Sequence, residues 1–560
     1  MPQKFAKISG YLPQFFIMTY QSNPVTTPTV GIAKRATRQK IATKKRLPLI
    51  IPILLCLGVG AMFSLSLAPY KLWTIAILSP MVLYACLVGE DRAGRAFWIG
   101  QAYGFGLWVV GAFWLYTSIH EYGNIPTWLA LIMIALMAFI MGLFHAVMAW
   151  AFVRFVGRQP LAFASLWVLQ EWVKTWLLTG FPWLFVGYAF TDVAWISSLA
   201  PMFGVLAISF VAVLFGASVV EVFRQKLGFL LISAFLVLFA MMMWVISPKW
   251  TTPTGEKLSM SLIQGNIPQD LKWLTEYRYE TLRIYAELSA SEWGQDVVVW
   301  PEASIPMFQD EAWEFINEVH THARMQGATW VTGIPYKDVE NFDPATREYP
   351  HLYNSVLALG EDSGGLYKKQ NLVPFGEYIP FEGMLNILPD LAGMQDVASF
   401  SRGDDNQKPL LVKNQPMGSA VCYEVAYPDT TRKNAKDTQF LLTVSNDAWF
   451  GTSAGPLQHL QMVQMRSMET GRWFARATNT GVTAFIDDKG RIVSQATPFV
   501  PTVLRGEVPM MMGVTPFMRW GSYPILLLAF ILVGLSFIVK RQSRYDASHE
   551  LYYQGEGVRD

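Results

Sequence analysis

Residues 418–429 read GSAVCYEVAYPD, and they join an apolar run typical of a β-strand to a cysteine and a Tyr-Glu pair. The chain contains 3 cysteines, and the other two, Cys56 and Cys86, lie within long apolar runs. Cys422 therefore has no obvious disulfide partner. A lone cysteine is usually a small buried hydrophobe, but outside the cytoplasm an unpaired cysteine is more often a functional thiol. The interpretation of this stretch depends on the compartment in which it lies.

The composition indicates a membrane protein. Hydrophobic residues make up 52% of the 560 residues and charged residues 15%, whereas soluble domains carry about 25% charge. An apolar run of about 18 residues or more can cross the hydrocarbon core as a helix. Eight such runs are predicted to be transmembrane helices: 48–66, 72–89, 97–119, 127–153, 161–180, 193–220, 227–246 and 523–539.

Basic residues predict the orientation of these helices, because short cytoplasmic loops are rich in Lys and Arg. The segment before the first helix, the loops after helices two, four and six, and the tail carry such residues. The alternate loops HEYGNIPT (120–127) and GFPWLFVGYAFTD (180–192) carry none. We therefore expect both termini in the cytoplasm and residues 250–515 outside it, in the periplasm or at the cell exterior.

This topology divides the chain into five predicted segments. They are a basic cytoplasmic arm (1–47), a membrane domain of seven helices (48–246), a periplasmic catalytic domain (250–515), an eighth transmembrane helix (523–539) and a cytoplasmic tail (540–560).

The predicted external domain has an ordinary soluble composition and alternating secondary structure. Strands are predicted at 257–267, 296–302, 328–336, 353–360, 417–425 and 440–450, helices at 311–326 and 457–475, and a hairpin at 483–493. Strands that alternate with helices indicate an α/β domain of layered sheets.

Reactive side chains follow three of the apolar strands: Glu302 ends VVVWPE (297–302), Lys369 lies in YKKQNLVPFGE (367–377), and Cys422 lies in SAVCYE (419–424). Taken singly, each has an ordinary explanation as a helix cap, a solvated charge or a buried hydrophobe. Taken together, they are a candidate base, cation and nucleophile. A thiol attacks a carbonyl when a base accepts its proton and a cation stabilises the resulting oxyanion. No histidine spacing suggests a metal site or a Cys-His pair.

At these residues the sequence resembles the nitrilase, or carbon–nitrogen hydrolase, superfamily, which uses a Glu-Lys-Cys triad. With the membrane helices, the resemblance narrows to the membrane branch of that superfamily, the apolipoprotein N-acyltransferases, and it covers nearly the whole chain after residue 47. The motifs that carry it are GFPWL (180–184), QGNIPQDLKW (264–273), LVPFGEYIP (372–380), FSRG (400–403), CYE (422–424) and SNDAWFG (445–451).

The resemblance implies a polytopic α-helical membrane domain joined to an αββα sandwich. It implies transfer of an acyl chain from a membrane phospholipid, typically phosphatidylethanolamine, to the α-amine of the diacylglyceryl-cysteine that begins an apolipoprotein, the last step of lipoprotein maturation. The reaction would be ping-pong through a thioester on Cys422, with Glu302 as general base and Lys369 as oxyanion stabiliser. Positions that match supporting residues are Glu377, Glu424, Tyr423, Trp273, Asn354 and Trp449.

The same resemblance implies no cofactor, no metal and no nucleic-acid partner, and it implies a multi-pass protein of the bacterial inner membrane. The adjacent lysines Lys368 and Lys369 would point to opposite faces of a strand. The family's lysine lies three residues before the Leu of LVPFGE, and this spacing selects Lys369. The long arm before residue 47 departs from the family pattern.

Several alternatives stay open. A membrane-tethered amidase or nitrilase would also use Cys422 but would release a free acid. A transporter or receptor with an external domain would not need the Glu-Lys-Cys set. Phe375, Ile379, Phe381 and the run 386–400 could form loops that dip into the bilayer or could be ordinary core. Glu171 and Lys174, three apart in the fifth helix, suggest an internal ion pair.

Overall fold

Residues 48–345, 349–380 and 399–556 are described by the structure, which is a computed structural model. The predicted basic arm (1–47), Phe381 and nearly all of the apolar run 386–400 lie outside the described residues, as do the last four residues of the predicted tail.

Helices occupy each of the predicted apolar segments before residue 250. They are α1 (Ile50–Met62), α2 (Ile75–Val88), α3 (Ala93–Gly111), α4 (Thr127–Arg154), α5 (Pro160–Val173), α6 (Ala194–Ser197), α7 (Ala200–Val222) and α8 (Gly228–Ile246). Within the described residues, four helices are long and apolar enough to cross a membrane: Thr127–Arg154, Ala200–Phe223, Gly228–Ile246 and Tyr523–Ser543. A membrane domain is compatible with these helices, and the predicted count of eight spans stays a prediction.

The ion pair expected between Glu171 and Lys174 does not form between these two described side chains. Glu171 Oε1 instead accepts hydrogen bonds from Trp167 Nε1 at 3.0 Å and from the backbone N–H of Val186 at 2.9 Å. The ammonium of Lys174 lies 5.4 Å from the ring centre of Trp108 and 5.1 Å from that of Phe185. Aromatic faces attract such a buried cation. The prediction of a direct pair is therefore wrong.

The segment that follows α8 contains twelve strands among its described residues. They are β1 (Thr251–Gln264), β2 (Val297–Trp300), β3 (Thr329–Asp338), β4 (His351–Gly360), β5 (Ser363–Lys368), β6 (Leu410–Val412), β7 (Gln415–Val421), β8 (Phe440–Ser445), β9 (Phe474–Thr478), β10 (Ala484–Ile486), β11 (Ile492–Gln495) and β12 (Thr502–Gly513). The hydrogen-bonded order is β11-β10-β9-β8-β7-β6-β5-β4-β3-β2-β1-β12. The strands β1, β2 and β3 are parallel neighbours, as are β7, β8 and β9.

The helices of this segment are α9 (Gln269–Lys272), α10 (Arg278–Ser289), α11 (Trp313–Met325), α12 (Pro428–Asn434), α13 (Gly455–Thr470) and α14 (Pro516–Trp520), and the long helix α15 (Tyr523–Glu556) follows. The helices α10, α11 and α13 pack against the outer faces of the sheet.

Alternate residues of each central strand enter different cores. Val299 of β2 packs in one core with Val421 of β7 and Val444 of β8, so the two halves of the sheet face each other. Val298 points the other way, into a core under α10 and α11, and Leu441 enters a third core with α13. Strands buried on both faces are expected to be continuously apolar. The layers are helix, sheet, sheet and helix, as in the predicted αββα sandwich.

Two predicted strands are wrong in their second halves. The strand predicted at 417–425 ends at Val421, and Cys422–Ala426 form a short 3₁₀ helix. The strand predicted at 440–450 ends at Ser445 and is followed by another 3₁₀ turn. Cys422 has a φ of 52°, and a strand cannot continue through a left-handed residue. The hairpin predicted at 483–493 is confirmed by the antiparallel pairing of β10 with β11.

Candidate active site

Three strand ends bring Glu302, Lys369 and Cys422 together. Glu302 follows β2, Lys369 follows β5, and Cys422 follows β7. The ammonium of Lys369 lies 3.7 Å from Glu302 Oε1, and the charges of both side chains act on the Cys422 thiol. All three are buried, and Cys422 is 9% exposed. The arrangement combines a thiol, a carboxylate and an ammonium in a site from which most water is excluded.

Asn354 and Glu377 complete the polar surroundings of the lysine. Asn354 Nδ2 donates to Glu302 Oε1 and to Glu377 Oε1, both at 2.8 Å. Glu377 Oε1 also accepts from Lys369 Nζ at 2.9 Å, and its Oε2 accepts from the backbone N–H of Val373 at 2.7 Å. One amide therefore holds two carboxylates around one ammonium, whose positive charge offsets the repulsion between them, and the position of Glu302 is fixed.

The electrostatics of the site keep the lysine charged and the thiol protonated. Burial lowers the pKa of Lys369, but the carboxylates of Glu377 and Glu302 outweigh it, so the net pKa is raised above the usual lysine value. Burial raises the pKa of the Cys422 thiol, and Glu302 raises it further, against a lowering by Lys369. A protonated thiol needs a base to become a nucleophile. Glu302 is the carboxylate whose charge acts most strongly on the thiol.

Glu424 lies behind the site and ties two of its loops together. Its Oε1 accepts from the backbone N–H groups of Gln370 at 2.5 Å and Asn371 at 3.1 Å, and its Oε2 accepts from that of Val421 at 2.7 Å. Tyr367 Oη donates to the same carboxylate at 3.1 Å. The segment after Lys369 and the residue before the nucleophile therefore share one buried anchor. Glu424 therefore supports the site by holding the backbone on which Lys369 and Cys422 are placed.

Lys368 points away from the three reactive groups. Its ammonium forms an ion pair with Asp338 at 2.7 Å and lies 4.2 Å from the ring centre of Tyr353. Lys369, the next residue, contacts Glu377 instead. The side chains of the two adjacent lysines thus point to opposite sides of the chain, as the alternation of side chains along a strand predicts.

Tyr423 connects the site to the GFPWL loop of the helical domain. Its hydroxyl donates to the carbonyl oxygen of Gly180 at 3.1 Å, and Tyr427 Oη donates to the same oxygen at 3.0 Å. The ring of Tyr423 stacks on Trp183 with 6.4 Å between centres. Gly180 has a φ of 85°, which only glycine adopts readily. The residue next to the nucleophile is therefore seated on the apolar helices.

The two predicted tryptophans are partly exposed, unlike the three buried reactive groups. Trp273 is 47% exposed and Trp449 is 40% exposed. The ring of Trp449 meets Tyr122 edge-on at 5.9 Å, and its carbonyl oxygen accepts from Ser118 Oγ at 2.7 Å. Both rings are available to a ligand that approaches from outside.

Sequence reasoning missed several residues that hold the site. Lys272 is fully buried and donates to the carbonyl oxygen of Glu302 at 3.0 Å, and burial lowers its pKa to about 8. The backbone N–H of Asn446 donates to Glu302 Oε2 at 2.8 Å. His459 contacts the carbonyl oxygen of Cys422 at 2.9 Å. Lys272 and Asn446 lie inside the quoted motifs QGNIPQDLKW and SNDAWFG, which was the available signal, whereas His459 lies outside every motif.

No group of three or more His, Cys, Asp or Glu side chains that could hold a metal ion occurs in the described part of the chain.

The fold is that of the carbon–nitrogen hydrolases. Residues 260–514 match the family model described as carbon-nitrogen hydrolase, and residues 59–218 match the apolipoprotein N-acyltransferase N-terminal domain. The chain belongs to the apolipoprotein N-acyltransferase family, and it is an acyltransferase.

Relatives of similar length carry that family's name. The apolipoprotein N-acyltransferase of Pseudomonas putida is 39% identical over 498 residues, which cover 87% of this chain and 97% of that one. That of Azotobacter vinelandii is 38% identical over 88% of this chain and 96% of its own, and that of Vibrio vulnificus is 35% identical over 87% and 96%. A solved carbon-nitrogen hydrolase from Helicobacter pylori G27 is 14% identical, covers 45% of this chain and 89% of its own, and has a TM-score of 0.34.

Proposed function

We propose that this protein transfers an acyl chain from a membrane phospholipid, with phosphatidylethanolamine as the expected donor, to the N-terminal α-amine of diacylglyceryl-cysteine apolipoproteins. The observation that carries the proposal is the buried Cys422 thiol, held at a left-handed strand end beside a carboxylate and an ammonium 3.7 Å apart. The names of the relatives supply the acceptor, since each is called an apolipoprotein N-acyltransferase.

The first half-reaction forms a thioester. Glu302 accepts the proton of the Cys422 thiol, and the thiolate attacks the ester carbonyl of the donor to form a C–S bond. The oxygen of the tetrahedral intermediate becomes negative next to Lys369, whose raised pKa keeps it a cation through the step. Collapse breaks the ester C–O bond, and Glu302 returns the proton to the leaving lysophospholipid.

The second half-reaction transfers the acyl chain. The neutral α-amine attacks the thioester carbonyl and gives a proton to Glu302, and Lys369 again stabilises the oxyanion. Collapse breaks the C–S bond, and the thiolate recovers its proton from Glu302. Carboxylate, ammonium and thiol thus return to their starting states without a cofactor.

Transfer rather than hydrolysis requires that water be kept from the thioester. Burial of Glu302, Lys369 and Cys422, each less than 10% exposed, supports this requirement. Tyr423 is hydrogen-bonded to Gly180 and stacked on Trp183. These contacts place the nucleophile next to the apolar helices, where lipid-anchored substrates would arrive by lateral diffusion. This placement favours an acyltransferase over an amidase that releases free acid.

Incubation of the purified protein with phosphatidylethanolamine vesicles tests the proposal. Mass analysis of the peptide that contains Cys422 is expected to show an acyl adduct, which a diacylglyceryl lipopeptide then discharges with formation of an amide. Cys422→Ala should form no adduct, and Cys56→Ala, which changes a buried cysteine of α1, should react normally. An adduct that water discharges as fast as the lipopeptide would favour the amidase reading, and a chain without adduct would contradict both.

The location follows from the same proposal. An inner-membrane enzyme that acts on lipoproteins outside the cytoplasm would hold residues 250–515 in the periplasm and both termini in the cytoplasm, as the loop charges predict. A reporter enzyme that is active only in the periplasm, fused near residue 250, is expected to be active. An inactive reporter would reject the orientation.

A further inference from the structure

A buried histidine on α13 holds the backbone of the nucleophile from behind. His459 is 1% exposed, and its Nε2 lies 2.9 Å from the carbonyl oxygen of Cys422. A carbonyl oxygen can only accept, so Nε2 carries the proton and donates it. The contact is made to the main chain of the nucleophile, so His459 is no proton acceptor for the thiol in this geometry.

An ionised aspartate holds the other side of the histidine ring. His459 Nδ1 lies 3.1 Å from Asp447 Oδ1, and Arg476 Nη2 donates to Asp447 Oδ2 at 2.6 Å. All three side chains are buried. Burial raises the pKa of Asp447, but the charge of Arg476 and the contact with His459 outweigh it and bring the pKa to about 2. Arg476 Nη2 also lies 3.2 Å from His459 Nδ1, so the ring orientation of His459 is fixed by Asp447 and Arg476 together.

The same aspartate also accepts from a third side chain. Ser445 Oγ, at the end of β8, donates to Asp447 Oδ1 at 2.7 Å. The chain of bonds therefore runs from Ser445 through Asp447 and His459 to the carbonyl oxygen of Cys422. This chain fixes the main chain of the nucleophile.

The backbone of Cys422 needs such support. Its φ of 52° is unfavourable for a residue with a side chain, and strain of this kind persists only where the surroundings impose it. The pairing of β7 with β8 ends at Val421 on β7, so the carbonyl oxygen of Cys422 lies beyond the hydrogen bonds of the sheet. His459 supplies the hydrogen bond that the sheet would have given.

We propose that His459 is a positioning residue, whose Nε2–H holds the Cys422 carbonyl so that the thiol points at the acyl carbonyl. The expected effect of His459 on acyl transfer rests on the proposed function. Its effect on the placement of the thiol does not, because that placement can be measured without a lipid.

Two amide substitutions separate the two ring nitrogens. The amide nitrogen of Gln is as many bonds from Cα as Nε2, so His459→Gln can still donate to the Cys422 carbonyl. The amide nitrogen of Asn matches Nδ1, so His459→Asn keeps a partner for Asp447 and loses the contact with Cys422. We expect kcat for acyl transfer to fall about 100-fold in His459→Asn with KM little changed, because misplacement by about 1 Å has that cost. His459→Gln is expected to stay within about tenfold of wild type.

Gln461→Ala is the matched control on the same helix. Gln461 is buried and contacts the backbone N–H of Ala68 and the hydroxyl of Thr191, so its loss disturbs α13 without touching the nucleophile. Its kcat should stay within about threefold of wild type. A kcat of His459→Asn equal to that of the control, or a His459→Gln as slow as His459→Asn, would overturn the proposal.

Alkylation of Cys422 by iodoacetamide, followed on its own peptide, gives a readout that needs neither substrate. Its rate is expected to fall about tenfold in His459→Asn and to recover in His459→Gln, since the reaction also depends on where the thiol points. If His459→Asn does not accumulate, His459→Met serves as the variant without a donor. If the variants show these alkylation rates but wild type forms no acyl adduct with phospholipid, the proposed function is refuted and the positioning role stands. If wild type and all variants are alkylated at equal rates, the positioning role alone is refuted.

Discussion

Glu469 Oε1 accepts a hydrogen bond of 2.8 Å from the backbone N–H of Val205. This bond joins the α/β segment to the middle of a helix in the helical domain. α7 is broken just before Val205, at Gly204, where φ is 72°. The break leaves an unpaired N–H group, and the carboxylate on α13 caps it as an N-terminal side chain would. Arg466 Nε lies 2.9 Å from Glu469 Oε2 and balances the charge.

Gly204→Ala is expected to destabilise the protein by about 3 kcal/mol, from backbone strain of about 1–3 kcal/mol and overpacking of similar size. A Cβ at this position would lie 2.4 Å from Phe517 Cε2, in a conformation that side chains rarely adopt. The apparent unfolding temperature in detergent measures the effect. Gly58→Ala is the control, because a Cβ there meets nothing within 4 Å. Equal unfolding temperatures for the two variants would contradict the steric argument.

Glu469 also predicts a pH dependence of stability. Burial raises its pKa from 4.5 to about 7, against a lowering by Arg466. Between these values the folded protein holds a proton that the unfolded chain has released, so stability falls as the pH rises from about 4.5 to about 7. Glu469→Gln removes this titration. The drop in unfolding temperature between pH 5 and pH 7.5 should be smaller in the variant than in wild type, and an equal or larger drop would count against it.

The sequence was sufficient to predict the layers of the fold and the meeting of Glu302, Lys369 and Cys422, because both depend on local patterns. VVVW (297–300) is apolar on both faces, and the structure buries both. The end of β7 at Val421 could not be read from the pattern, because the φ of Cys422 is imposed by groups distant in the chain. The role of His459 could not be predicted either, because its spacing indicates no metal and its partner is a main-chain carbonyl that no side-chain motif records.

Lys369 and Lys368 should differ sharply when each is changed to Met. Loss of Lys369 removes the cation next to Glu302 and Glu377, and we expect kcat to fall by about 10²–10³ or more, as for loss of an oxyanion donor. Lys368→Met breaks an ion pair with Asp338 on the other side of the chain and should lower kcat by less than about tenfold. Steady-state transfer to a lipopeptide measures both. A larger loss in Lys368→Met would transfer the cationic role to that residue.

Glu424→Gln is expected to destabilise the protein by about 1–3 kcal/mol, although the change is isosteric. Both carboxylate oxygens accept from N–H or O–H donors, including Val421, Gln370 and Asn371. An amide NH₂ in place of either oxygen meets at least one of these donors, and an unsatisfied buried donor costs about 1–3 kcal/mol.

The comparison should be made at pH 8, because burial raises the pKa of Glu424 to about 7 and the carboxylate is ionised above that value. Tyr367→Phe removes a single donor and leaves the backbone N–H groups satisfied, so it should cost about 1 kcal/mol. Kinetics add a second measure: because Glu424 anchors Gln370 next to Lys369 and Val421 next to Cys422, its loss should lower kcat as well, whereas Tyr367→Phe should not. A Glu424→Gln variant as stable and as active as Tyr367→Phe would show that the two loops do not depend on the shared carboxylate.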